Sequence, residues 1–194
     1  MAIFFSTFVR LIAKVIALLY FSLEVRGSEN IPRRGGFIVA SNHASFLDPP
    51  LLAVASPRLL GFFSKAEMFR SPVSAFFLRL LGAFPLDREA DALSLRVGLR
   101  ILRNGKGLAI FPEGTRSRDG RMGKGKSGVA MLAVRSGCPV IPMRLIGSDR
   151  ALPPGNAAPR PVKIRIIIGP PVKIEGDDYA EIAAVVMEHI RALA

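Results

Sequence analysis

The 194 residues carry a net charge of +12, half of them are hydrophobic and the mean hydropathy is +0.36, so one domain can fill its core and keep apolar surface in reserve. One cysteine, Cys138, and two histidines, His43 and His189, exclude a disulfide framework, a thiolate metal cluster and a His-rich metal site. The basic balance suits anionic lipid, a phosphorylated substrate or nucleic acid, but with no tryptophan and only 8% aromatic residues a nucleic-acid reader would have few rings for stacking bases.

Residues 1–23 read as an apolar helix. The segment lacks a charged n-region and an A-x-A-like end, so it does not read as a cleaved signal. Its length approaches the ~20 residues that span a bilayer, yet Arg10 and Lys14 stand four apart on one helical face, with Ser6 and Thr7 near it. Placing either cation at the bilayer centre costs roughly 2.5–3.5 kcal/mol. The cheaper arrangement is a helix lying in the interface, cations toward headgroups and Phe, Leu and Ile toward acyl chains. A core helix and a true span are the alternatives.

Residues 24–30 form a short strand and turn, and 37–40 a buried strand. Asp48-Pro49-Pro50 starts a helix, with Asp48 as N-cap and Pro49 at the first helical position. A strand follows at 61–64, an apolar helix at 71–81, a strand at 83–86 and an amphipathic helix at 91–103 that ends at Asn104-Gly105. Next come a strand at 107–111, a basic glycine-containing loop at 116–125, a helix at 127–136 stopped by Gly137, and strands at 140–145 and 162–168. The last helix, about 177–192, has acids in its first turn and Arg191 in its last, which complements the helix dipole. This alternation predicts an α/β fold, an open, mostly parallel sheet flanked by helices. No linker divides it, so the expected organisation is a membrane-associating helix at 1–23 and one domain at 24–194.

Two clusters carry chemistry, each just past a strand, where open α/β sheets put their ligand crevices. In Asn42-His43-Ala44-Ser45-Phe46-Leu47-Asp48, a histidine with an ordinary pKa of about 6.5 is mostly neutral at pH 7 and suits a general base. A carboxylate on its other ring nitrogen would fix the tautomer and stabilise the imidazolium, and Asp48 is near enough in sequence to fold back. The plainer alternatives are a loop histidine and an N-capping aspartate; Asp48 can also do both jobs, one oxygen to the backbone and one to the ring. In Phe111-Pro112-Glu113-Gly114-Thr115-Arg116-Ser117, Gly114 allows close backbone approach, Thr115 and Ser117 offer hydroxyls, and Arg116 offers a bidentate fork for phosphate. Residues 100–126 hold eight basic and two acidic residues, half of the excess charge of the chain. A solvated basic loop is the alternative.

Two shorter runs are weaker alone: Gly82-Ala83-Phe84-Pro85-Leu86-Asp87-Arg88, which puts a guanidinium near the same sheet edge, and Val140-Ile141-Pro142-Met143-Arg144, which reads as a core strand. Residues 120–127 satisfy G-x-x-x-x-G-K-[ST], the P-loop pattern with Lys126 as its lysine, but a P-loop starts directly after a strand and this one does not. No G-x-S-x-G elbow exists for a serine hydrolase, and Cys138 reads as packing.

The order N-H-x4-D, G-x-F-P-L-D-R, F-P-E-G-T-R-S and V-I-P resembles the four ordered motifs of the PlsC-type glycerolipid acyltransferases, the 1-acylglycerol-3-phosphate acyltransferase family. The resemblance runs from about residue 24 to 146, and Ser64-Lys65-Ala66-Glu67 is similar to the lysine-containing segment between the family's first two motifs. It implies a His43–Asp48 catalytic dyad, Arg88 on the acceptor phosphate, and Glu113, Gly114, Thr115 and Arg116 lining the acceptor site. Lys65 would help with phosphate or the developing oxyanion, and Pro142 would shape the acyl-donor side. The implied donor is acyl-CoA or acyl-carrier protein, the acceptor a lysophospholipid, with no cofactor, no metal and no nucleic-acid partner. Segment 71–81 is expected to line the acyl groove, to touch the membrane or to be a core helix. The expected location is the cytoplasmic side of the cell membrane, held on one leaflet.

Overall fold

The strand Phe37–Ser41 (β2) is buried at every residue, as a strand covered on both faces must be. In the computed structural model it is the centre of a seven-stranded sheet ordered β1-β7-β6-β2-β5-β3-β4. The other strands are Glu24–Arg26 (β1), Leu60–Lys65 (β3), Ala83–Leu86 (β4), Gly107–Ile110 (β5), Val140–Ile146 (β6) and Arg165–Ile168 (β7). The helices are Ala2–Tyr20 (α1), Asp48–Ala55 (α2), Pro72–Leu80 (α3), Asp91–Arg103 (α4), Gly128–Ser136 (α5), Ser148–Ala151 (α6) and Tyr179–Arg191 (α7). The structure describes residues 2–80, 82–86, 91–117, 120–153, 156 and 158–194, with side chains from residue 11 onward except 77, 80, 86 and 91.

Every neighbouring strand pair is parallel except β6 with β7, so the expectation of an open, mostly parallel, helix-flanked sheet holds. Alternate side chains of β2 serve two cores, as the twofold period of a strand requires. Phe37 and Val39 join the core under α1 and α2, and Ile38 and Ala40 the core under α4, α5 and α7. Helix α2 is almost wholly covered, with Asp48 and residues 51–55 buried, and α1 packs on it through Ala13 and Ala17. The outer side of α1 exposes Leu11, Ile12, Val15, Ile16 and Leu19, the last 80% accessible. Among the described residues no helix is long and apolar enough to cross a membrane.

One tight passage depends on backbone without a side chain. Gly82 leads into β4 at φ 83°, and a Cβ there would lie 2.4 Å from the Leu60 carbonyl oxygen, so β4 can reach β3 only with glycine at this position.

Candidate active site

Strands β2, β5, β3 and β6 end at one edge of the sheet. Their register, Ala40 opposite Ile110 and Phe62 opposite Ala109, brings Asn42, Pro112 and Lys65 to one level across three neighbouring strands. Asn42 extends β2 by imitating a peptide group: its amide nitrogen donates to the Leu145 carbonyl at 3.0 Å and its amide oxygen accepts from Leu145 N–H at 2.8 Å. That pair fixes the chain direction just before His43.

Past Asn42 the loop closes on one oxygen. Asp48 Oδ2 lies 2.8 Å from His43 Nδ1 and accepts from the N–H groups of Ala44 at 2.7 Å and Ser45 at 2.8 Å. Asp48 is fully buried and the His43 side chain is 17% exposed. Two sequence expectations change form here. Asp48 is the first residue of α2, with Leu47 in the N-cap position, because its carboxylate turns back to the loop before the helix and not forward to the helix N–H groups. Nor do its oxygens divide the work: Oδ2 takes the ring and both backbone donors, and Oδ1 has no hydrogen-bond partner among the described residues. A carboxylate at Nδ1 keeps the ring proton there and leaves the Nε2 lone pair as the basic position. Phe111 stacks on the ring, centroids 3.9 Å apart at 17°.

The second loop leaves β5. The Glu113 carboxylate is buried; one oxygen accepts from His43 N–H at 2.9 Å and the other from Gly123 N–H at 2.8 Å. Ser117 N–H donates to the His43 carbonyl at 2.8 Å, so the His43 backbone is held on both sides by this loop. Gly114 sits at φ 69°, and a Cβ there would lie 3.0 Å from Cδ, Cε and Nζ of Lys126, whose side chain crosses it. Thr115 is exposed and Arg116 half-buried, its guanidinium 3.5 Å from the Phe46 ring centroid, within cation–π range. The Ser117 bond thus sets Arg116 one residue from the contact with the His43 backbone, and Lys126 lies against Gly114 of the same loop. Lys126 is the residue that motif reading placed in a different site; its only sequence signal was the P-loop pattern.

That pattern does not form a P-loop. Gly123 N–H goes to Glu113 and Lys126 N–H to the Pro112 carbonyl at 2.8 Å, so these backbone donors face the protein instead of cradling phosphate. The loop rests on α7: a Cβ on Gly125 would meet the Ala183 carbonyl oxygen at 2.9 Å, and Arg191 donates to the Gly123 carbonyl at 2.9 Å. Arg144 in turn donates to the carbonyls of Arg191 and Leu193, fixing the end of α7.

Lys65 is exposed at the end of β3, two strands from β2, roughly 10 Å at the usual strand spacing. Pro142 is buried in β6, opposite Ala40 and accepting from Gly169 N–H. Arg88 lies outside the described residues, as does the Arg10 side chain. Cys138 is half-buried, its sulfur 3.8 Å from the Ser136 carbonyl. Among the described residues no three His, Cys, Asp or Glu are grouped to hold a metal ion.

The Acyltransferase family model matches residues 22–146, which contain every residue of both loops. The chain belongs to the PlsC-type acyltransferase family. Similar to this PlsC-type chain are the 1-acyl-sn-glycerol-3-phosphate acyltransferase of Bacillus subtilis, 31% identical over 82% of this chain and 78% of that protein, and a chloroplastic one of Brassica napus, 33% identical over 71% of this chain and 41% of that protein. The chain spans less than half the length of that plant relative. The crystal structure of the 1-acyl-sn-glycerophosphate acyltransferase PlsC from Thermotoga maritima superposes with a TM-score of 0.78 at 30% identity, covering 96% of this chain and 78% of that one.

Proposed function

We propose that this protein transfers a fatty acyl chain from a thioester, acyl-CoA or acyl-carrier protein, to the free hydroxyl of 1-acylglycerol 3-phosphate, giving phosphatidic acid. The observation that carries the reading is the 2.8 Å contact between His43 Nδ1 and Asp48 Oδ2 at the carboxyl edge of the sheet. In the proposed step His43 Nε2 takes the proton of the acceptor hydroxyl as its oxygen attacks the thioester carbonyl carbon. The carbon–sulfur bond then breaks, and the thiolate leaves with the proton that the imidazolium returns. Asp48 holds the tautomer and offsets the imidazolium charge. Arg116, Thr115 and Gly114, joined by Lys126, receive the acceptor phosphate with Arg88, and Lys65 stands for the oxyanion or phosphate. Glu113 acts through the backbone of His43 and Gly123. Pro142 is proposed to shape the donor side. The reading calls for no metal and no cofactor.

The acceptor is a lipid, so the enzyme must meet it at a bilayer. Helix α1, with its exposed aliphatic side and Lys14, is proposed to lie in the interface of the cytoplasmic leaflet. The test is purified protein with acyl-CoA or acyl-carrier protein and lysophosphatidate, following thiol release and phosphatidate. His43→Ala should lose at least ~100-fold in turnover. Absence of thiol release with either donor, or near-normal turnover in folded His43→Ala, would overturn the reading.

A further inference from the structure

Apolar side chains are exposed unevenly over the molecule. On the side of the sheet covered by α4, α5 and α7, the large exposed ones are Leu93 and Val185, one to a helix. On the other side, beyond α1, the turn Ala66–Phe69 and α3 expose Met68 (42%), Val73 (67%) and Phe76 (52%). Helix α3 keeps its inner side for the core, with Ala75 buried and Leu78 packed against it, and its outer side exposes Val73 and Phe76. Among the described residues, exposed Lys65, Arg70 and Arg79 lie in the same stretch of chain, against one acid, Glu67.

The position of the patch relates it to the site. β3 passes directly into the turn Ala66–Phe69 at the edge where His43 stands, so the start of α3 flanks the approach to the two loops. Cations interspersed with aliphatic side chains suit the boundary between anionic headgroups and acyl chains, which receives both at once. A second copy of the chain does not suit it as well, since a twofold contact would set Arg70 and Arg79 against their own images.

We infer that Met68 and Val73, with Phe76, form a second membrane-inserting surface beside the mouth of the active site, separate from α1. It rests on the proposed lipid acceptor and adds where that lipid leaves the bilayer: next to β3, within a short step of His43.

The chain contains no tryptophan, so one introduced indole reports alone. V73W and M68W probe the patch, I16W probes α1, and V185W serves as the control on the opposite side. Each is mixed with vesicles of phosphatidylglycerol and phosphatidylcholine carrying brominated acyl chains. V73W and M68W should shift to shorter wavelength and be quenched, as an indole about 5–10 Å below the surface is, and V185W should do neither. V73E should weaken vesicle partitioning roughly tenfold and leave thiol release with a short-chain, water-soluble acceptor unchanged. Quenching of I16W without V73W or M68W would overturn the inference and leave the proposed reaction standing, as would quenching of none. A blue shift without vesicles that grows with protein concentration would assign the patch to a second copy and overturn it too.

Discussion

From His43 to Asp48, six residues of chain close on a single buried oxygen, whereas the described residues of 113–126 are basic and, beyond the buried Glu113, mostly exposed or half-buried. The first loop spends its polar groups on itself: ring, Ala44 N–H and Ser45 N–H all meet Asp48. The second spends Glu113 and Ser117 on the His43 backbone and leaves Thr115 and Lys126 exposed, with Arg116 resting on Phe46. The difference fits the two tasks proposed for the loops. Proton transfer needs its base held to within a fraction of an ångström, but a phosphate needs charge within reach and tolerates longer, more mobile side chains.

Substitutions that touch one loop or the other can break this division. Asp48→Ala should have the largest effect, since it strands two buried N–H donors as well as the ring. At about 1–3 kcal/mol for a buried donor left unsatisfied, and 2–4 °C per kcal/mol at this chain length, melting should fall by roughly 10 °C, with turnover reduced as far as in His43→Ala. Wild-type melting would mean that the first loop does not depend on its carboxylate. Glu113→Gln, which joins the loops, should cost about 1–2 kcal/mol in a denaturant titration by placing an amide N–H₂ against a backbone donor, and should lower kcat as well as raise the acceptor KM. A change confined to KM would place Glu113 with the binding loop alone. Arg116→Ala should raise the acceptor KM roughly tenfold, the size of one charge-assisted contact, with melting and donor KM unchanged. The smallest effect belongs to Arg191→Ala. Losing its bond to the Gly123 carbonyl should raise acceptor KM by a factor of about 2–5, and speed hydrogen exchange at Gly123 and Lys126 more than at Ala44 and Ser45.

Local pattern carried far into the fold. β4 at 83–86 and α4 at 91–103 have the bounds their apolar spacing predicts, and α5 ends at Gly137 with φ 64°, as its glycine foretells. Pairing direction is not local. β7 runs antiparallel to β6 and carries β1 on its far side, and nothing in a strand's own residues states its partner. The expected strand at 162–168 is shorter for the same reason: Ile164 bonds Phe21 and Glu24, between the end of α1 and the start of β1, instead of joining the β6 ladder. At the site, the His43–Asp48 spacing was readable because the partners lie five positions apart, across one loop and the first residue of α2. The duty of Glu113 was not, since its partners stand 70 residues before it and 10 after it, and residue type alone says only that a carboxylate beside a basic run suits solvent or ligand. Lys126 was likewise hidden until the fold laid it across Gly114.

The pairing of β1 with β7 sets an order in time. Glu24 lies opposite Arg165, so an edge strand made early must wait for a partner made near the end of the described chain. At roughly 5–20 residues per second on a ribosome, that wait is on the order of ten seconds. During it, α1 and the hydrogen-bonding groups of β1 stand without their closing strand, which leaves this end of the chain open to the bilayer contact proposed for α1. Ribosome-bound chains halted before residue 165 should hold to vesicles more strongly than the released protein; equal retention would show that β7 does not compete with the membrane for this end of the molecule.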